Sequence, residues 1–96
     1  MPSIREPVLR ELIEASGGSI SATVSGRDRG FALVVHLGIS NKILATSKGA
    51  VRLFASLDTA STFVKDLGIE RFEVDMSGYQ PGRLRSARPD RSESLR

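Results

Sequence analysis

An α+β fold is what this sequence predicts: a mostly antiparallel five-stranded sheet with two helices on one face, in the order α-β-β-β-β-α-β. Two observations predict it. Apolar residues recur at helical spacing in two places, Val8 to Ile13 and Leu57 to Leu67, and at a period of two in several short runs between and after them. Glycine-bearing turns separate those runs closely enough for antiparallel neighbours rather than a succession of βαβ units. A chain of 96 residues supports one such domain and one modest core.

The elements follow in order. Val8, Leu9, Leu12 and Ile13 fall on one side of a first short helix, with Arg5, Arg10, Glu11 and Glu14 elsewhere. Its start has two readings, a capping box from Ser3 to Glu6 or a cap at Glu6 ahead of Pro7, and Gly17-Gly18 ends it. Ile20, Ala22 and Val24 alternate with serine and threonine in a strand with one wet face, the expected sheet edge. The turn Gly26 to Gly30 leads into Phe31 to Leu37, almost continuously apolar and therefore expected near the sheet centre. After Gly38 to Asn41, Lys42 to Ser47 and Ala50 to Phe54 read as a second hairpin around Lys48-Gly49, with Leu44, Val51 and Leu53 as the inward positions. Ser56 is a good N-cap for the second helix, Asp58 suits its positive end, and Gly68 with Ile69 is placed for a Schellman closure. Phe72, Val74 and Met76 alternate with charged residues in a fifth strand, and the crossover helix should return that strand parallel to the sheet.

Charge divides the chain. Through Gln80 nine Lys and Arg face nine acids, so residues 1–80 form an electrically balanced domain. Residues 81–96 bring Arg83, Arg85, Arg88, Arg91 and Arg96 against Asp90 and Glu93, and so hold the whole net charge of +3. With Pro81, Gly82 and Pro89 and little periodicity, this segment reads as a flexible basic arm suited to an anionic partner, either nucleic acid or an acidic protein surface. Arginine forks match phosphate oxygens in pairs, and five such contacts to duplex DNA imply a salt slope on the order of −4 to −5. Aromatic residues are absent between the arginines, which disfavours base stacking. Arg27 and Arg29, at a hairpin tip, and Arg52 are weaker candidates for the same contact.

Chemistry has little to stand on here. His36 is the sole histidine and there is no cysteine, so neither a thiolate metal site nor a Cys-His nucleophile pair is available, and His36 is expected to be structural. Glu73 and Asp75 alternate on a wet strand face, while Asp58 and Asp66 lie on one helix with no further catalytic support. No glycine run has the spacing of a phosphate loop. The expectation is a non-enzyme without metal or cofactor. The absence of cysteine and of any apolar run long enough to span a membrane fits the cytoplasm, and an uncovered sheet edge permits a homo-oligomer.

Three stretches taken together carry a resemblance: Arg5-Glu6-Pro7-Val8-Leu9-Arg10-Glu11-Leu12, Val51 through Ala60, and Arg71-Phe72-Glu73-Val74-Asp75 leading to Pro81-Gly82-Arg83 and Arg88-Pro89-Asp90-Arg91. They resemble the small partition-associated proteins of the ParC family, encoded on plasmids and integrative elements of Gram-negative bacteria and unrelated to the topoisomerase subunit of that name. The resemblance implies an accessory protein in plasmid or mobile-element maintenance, working beside a segregation ATPase or a centromere-binding protein. It also implies a chain that continues past Leu95-Arg96, and it supplies no functional residues to carry over. The alternative from the residues themselves is a small DNA-binding regulator that contacts phosphates through the arginine arm.

Overall fold

The computed structural model describes residues 1–17 and 19–80. Strands β1 (Ser3–Arg5), β2 (Ser21–Arg27), β3 (Gly30–Leu37), β4 (Ser40–Ala45) and β5 (Glu73–Asp75) form one sheet in the order β1-β4-β3-β2-β5. Helices α1 (Glu6–Ser16) and α2 (Leu57–Asp66) contribute Leu9, Ala60 and Val64 to one buried cluster with Val24, Leu33, Val35 and Leu44. The α+β class, a five-stranded sheet and two helices on one face are therefore as expected, whereas the element order is β-α-β-β-β-α-β and not α-β-β-β-β-α-β. The two long ladders, β2 with β3 and β3 with β4, are antiparallel; β1 with β4 and β2 with β5 are parallel over three residue pairs each.

Several details depart from expectation. A strand precedes the first helix: Ile4 lies opposite Leu44, and the Ile43 amide donates to the Pro2 carbonyl at 2.9 Å. Ser3 is thus committed to the ladder, and neither predicted cap forms. Arg5 is the N-cap of α1, without a side-chain cap bond, and Pro7 occupies the first turn. Because α1 springs straight from the outermost strand, only one flank overlies the sheet. Leu9 is fully buried and Ile13 half-buried, but Val8 and Leu12 remain 50% and 38% exposed. The serine-bearing β2 is not an edge, since β5 returns on its far side and leaves β1 and β5 as the margins.

Residues 50–54 make no full strand. Beyond the pair Val34–Ile43, β3 and β4 diverge, and this segment enters the fork, bridging Val51 to Ala45 and Phe54 to Phe31. The bridge to β3 is tight, with Phe31 N–H donating to Phe54 O at 2.9 Å and Phe54 N–H to Phe31 O at 2.7 Å.

The second helix closes as its sequence indicates. Ser56 Oγ accepts from the Thr59 amide at 3.1 Å. At the other end Ile69 N–H donates to Val64 O at 3.3 Å and Gly68 N–H to Lys65 O at 2.9 Å, the paired bonds of a Schellman motif. Ser56→Ala should cost about 1 kcal/mol, read as a lower urea midpoint with an unchanged slope.

Candidate interaction surface

Helix α1, the fork segment and α2 bring two arginines, Arg10 and Arg52, together around the rings of Phe54 and Phe63. Arg10 Nε donates to Glu6 Oε2 at 2.8 Å, one helical turn away, and its Nη2 lies 3.5 Å from Asp66 Oδ2 on α2. The hydrogen bond to Glu6, followed by the charges of Glu6 and Asp66, outweighs desolvation and holds the Arg10 pKa above its ordinary value. Arg52 Nη1 stands 3.6 Å from Glu6 Oε1. Its guanidinium carbon lies over Phe54 and Phe63, 4.8 and 5.0 Å from the ring centroids, and the rings themselves are 5.1 Å apart. Cation–π contact with both rings holds this charge in place. Beside the cluster opens a cleft of about 670 Å³, lined by residues that include Arg5, Glu6, Thr46, Ser47, Arg52 and Leu53.

A second basic group sits at the β2–β3 tip. Asp28 and Arg29 form the two-residue loop, and Arg27 closes the ladder opposite Gly30. Arg29 is exposed, whereas Arg27 is half-buried, its Nε 3.3 Å from Ser25 Oγ. The chain returns to this tip after β5: Tyr79 stacks on Phe31 with centroids 5.0 Å apart, and the Gln80 amide donates to the Arg27 carbonyl at 3.3 Å. Of the arginines singled out in the sequence, Arg27 and Arg29 share the tip, while Arg52 belongs to the aromatic cluster. Arg83, Arg85, Arg88, Arg91 and Arg96, with the arm over 81–96, lie outside the described residues.

The remaining candidates have structural partners. On the sheet face away from the helices, His36 is hydrogen-bonded at both ring nitrogens, Nδ1 to Asn41 Oδ1 at 2.8 Å and Nε2 to the Thr23 hydroxyl at 2.9 Å. This links β2, β3 and β4. Asp75 Oδ1 accepts from the Ser77 amide at 3.0 Å and from its hydroxyl at 2.7 Å, and these bonds lower the Asp75 pKa below the usual carboxylate value. Glu73 is exposed, Asp66 meets Arg10, and Asp58 stands in the first turn of α2. No group of three or more His, Asp or Glu among the described residues is placed to hold a metal ion. None of their helices is long and apolar enough to cross a membrane.

Sequence reasoning missed Glu6, Arg10, Phe54 and Phe63 as companions of Arg52. The four-residue spacing of Glu6 and Arg10 was a readable signal; their meeting with α2 was not.

A family model described as ParC-like matches residues 4–83. No curated protein and no solved structure matches the chain.

Proposed function

The chain belongs to the ParC-like family, and on that premise we propose that it serves as a cytoplasmic, non-enzymatic accessory protein in the partition and maintenance of a plasmid or mobile element. It acts by protein–protein contact, with a segregation ATPase or a centromere-binding protein as the partner class, and the basic segment supplies electrostatic attraction. The observation that carries this reading is the position of Gln80. It is bonded to Arg27 beside Arg29, so the described residues end at a basic tip, and the sequence past Gln80 carries five arginines while the charges of residues 1–80 cancel. Self-association through the margins β1 and β5 is compatible with the same role.

The test is capture of partition proteins from an extract of the plasmid's host, using the full chain and a variant with Arg83, Arg85, Arg88, Arg91 and Arg96 changed to serine. Retention of a segregation ATPase or centromere-binding protein by the full chain, weakened in the variant and by added salt, is the expected result. Failure of the full chain to retain either protein overturns the reading.

The shared position of Arg27, Arg29 and Gln80 also favours a second reading, direct contact with DNA phosphates. A gel shift that disappears in the serine variant and weakens steeply with salt would select it over the adaptor.

A further inference from the structure

We propose that the cleft between the start of α1 and the fork segment is a socket for one carboxylate of an acidic protein partner, gripped between Arg5 and Arg52. This deepens the adaptor reading by giving the partner's contact residue a chemical class.

Arg52 is prepared for such a contact. The Phe54 and Phe63 rings hold its guanidinium in place, and within the described residues its ion pair is the long one to Glu6, whose shorter bond is to Arg10. A guanidinium carries five N–H donors in a rigid fork, and a bidentate carboxylate uses two of them. Arg5 is exposed on the same cleft and makes no ion pair within 4.0 Å among the described residues. Among the residues lining the cleft, Arg5 and Arg52 face Glu6, an excess of a single positive charge. One carboxylate neutralises that excess. A nucleic-acid backbone would bring a run of charges up against Glu6 and be repelled by it.

Size and lining agree with the same ligand. The cleft's volume of about 670 Å³ accommodates an acidic side chain together with parts of its neighbours. Leu53 offers an apolar wall for the methylene stem, while the Thr46 and Ser47 hydroxyls stand ready as further donors to oxygen.

The experiment titrates the ¹⁵N-labelled full chain with the blocked hexapeptide Ser-Gly-Glu-Leu-Gly-Ser and with its Gln counterpart. Saturable amide shifts at Thr46, Ser47 and Leu53, with movement of the Arg52 Nε resonance, are expected from the Glu peptide. The Gln peptide should bind roughly tenfold more weakly, having lost the charge-assisted bonds. Arg5→Ala, at an exposed position, should weaken the Glu peptide roughly three- to tenfold without altering the thermal midpoint. Arg52→Ala should abolish saturation. Should removal of Arg52 from its rings disturb folding, the Arg5 variant still decides.

Equal binding of the two peptides, an Arg5 variant that titrates like the parent, or shifts confined to Arg27 and Arg29 would overturn the proposal. So would inorganic phosphate or a short DNA duplex moving the cleft resonances at lower concentration than the Glu peptide. The peptide titration needs no partition protein, so an empty extract capture leaves the socket standing, and a failed titration leaves the adaptor role standing.

Discussion

Gly30→Ala is expected to destabilise the body by about 2–4 kcal/mol, through overpacking in a backbone conformation that L side chains rarely adopt. Gly30 has φ +157°, and a methyl placed there would run into the carbonyl oxygen of Phe54. That oxygen is a backbone atom, pinned by the reciprocal hydrogen bonds between Phe31 and Phe54, and cannot swing aside as the tip of a side chain would. Relief requires the fork segment to leave β3, taking Arg52 with it, so peptide binding in the cleft should weaken alongside stability. Gly38→Ala is the control. Its φ is +67°, but nothing lies within 4 Å of the added carbon, so only the local conformational penalty of about 1–2 kcal/mol applies. Urea titrations of the two variants decide the matter: a Gly30→Ala midpoint at or above that of Gly38→Ala would show that the fork yields easily.

Leu33→Ala should cost about 3–4 kcal/mol, and Val34→Ala, its neighbour on the other side of β3, clearly less, about 1–2 kcal/mol. Leu33 has no exposed surface and lies in the cluster that joins both helices to the sheet. Truncating it leaves a void between layers that cannot close without moving a helix. Val34 is 7% exposed and belongs to the small cluster with Ala32 and Ile43 on the helix-free face, so less packing is lost. Since a domain of this size has total stability on the order of 5–15 kcal/mol, the Leu33 variant should be partly unfolded on mild heating. Equal effects from the two truncations would mean that the helix-free side carries as much of the core as the helical side.

Local signals in this sequence translated well into local structure. Ser56, Gly68 and Ile69 delimit α2 because each satisfies a backbone group within a few residues of itself. The β2–β3 hairpin follows from the turn residues Gly26 to Gly30, with alternation before them and a nearly continuous apolar run after them. What escaped was decided at a distance. Ser3–Arg5 is too short for a periodic pattern and becomes a strand only because β4 offers it a parallel partner. Val51 to Phe54 alternates as a strand should, but in the opposite sense to that expected: Val51 and Leu53 are exposed and Phe54 is buried, because pairing with Phe31 turns Phe54 into the core. The serines of β2 correctly marked a wet surface, but that surface is a face of the sheet and not its margin. Arg52 was singled out for its charge; its partners Phe54, Phe63 and Glu6 come from three different elements, and sequence spacing relates only some of them.

The parallel strands at the two sides of the sheet also constrain the order of assembly. β2, β3 and β4 are joined by tight turns and can zip together as they emerge, whereas Ile4 must wait for Leu44, and Val74 must travel back to Val24. On the ribosome Ser3–Arg5 therefore stays without its ladder until β4 has left the tunnel. Among the described residues completion of the sheet falls to β5, after which Tyr79 seals the hairpin end by stacking on Phe31.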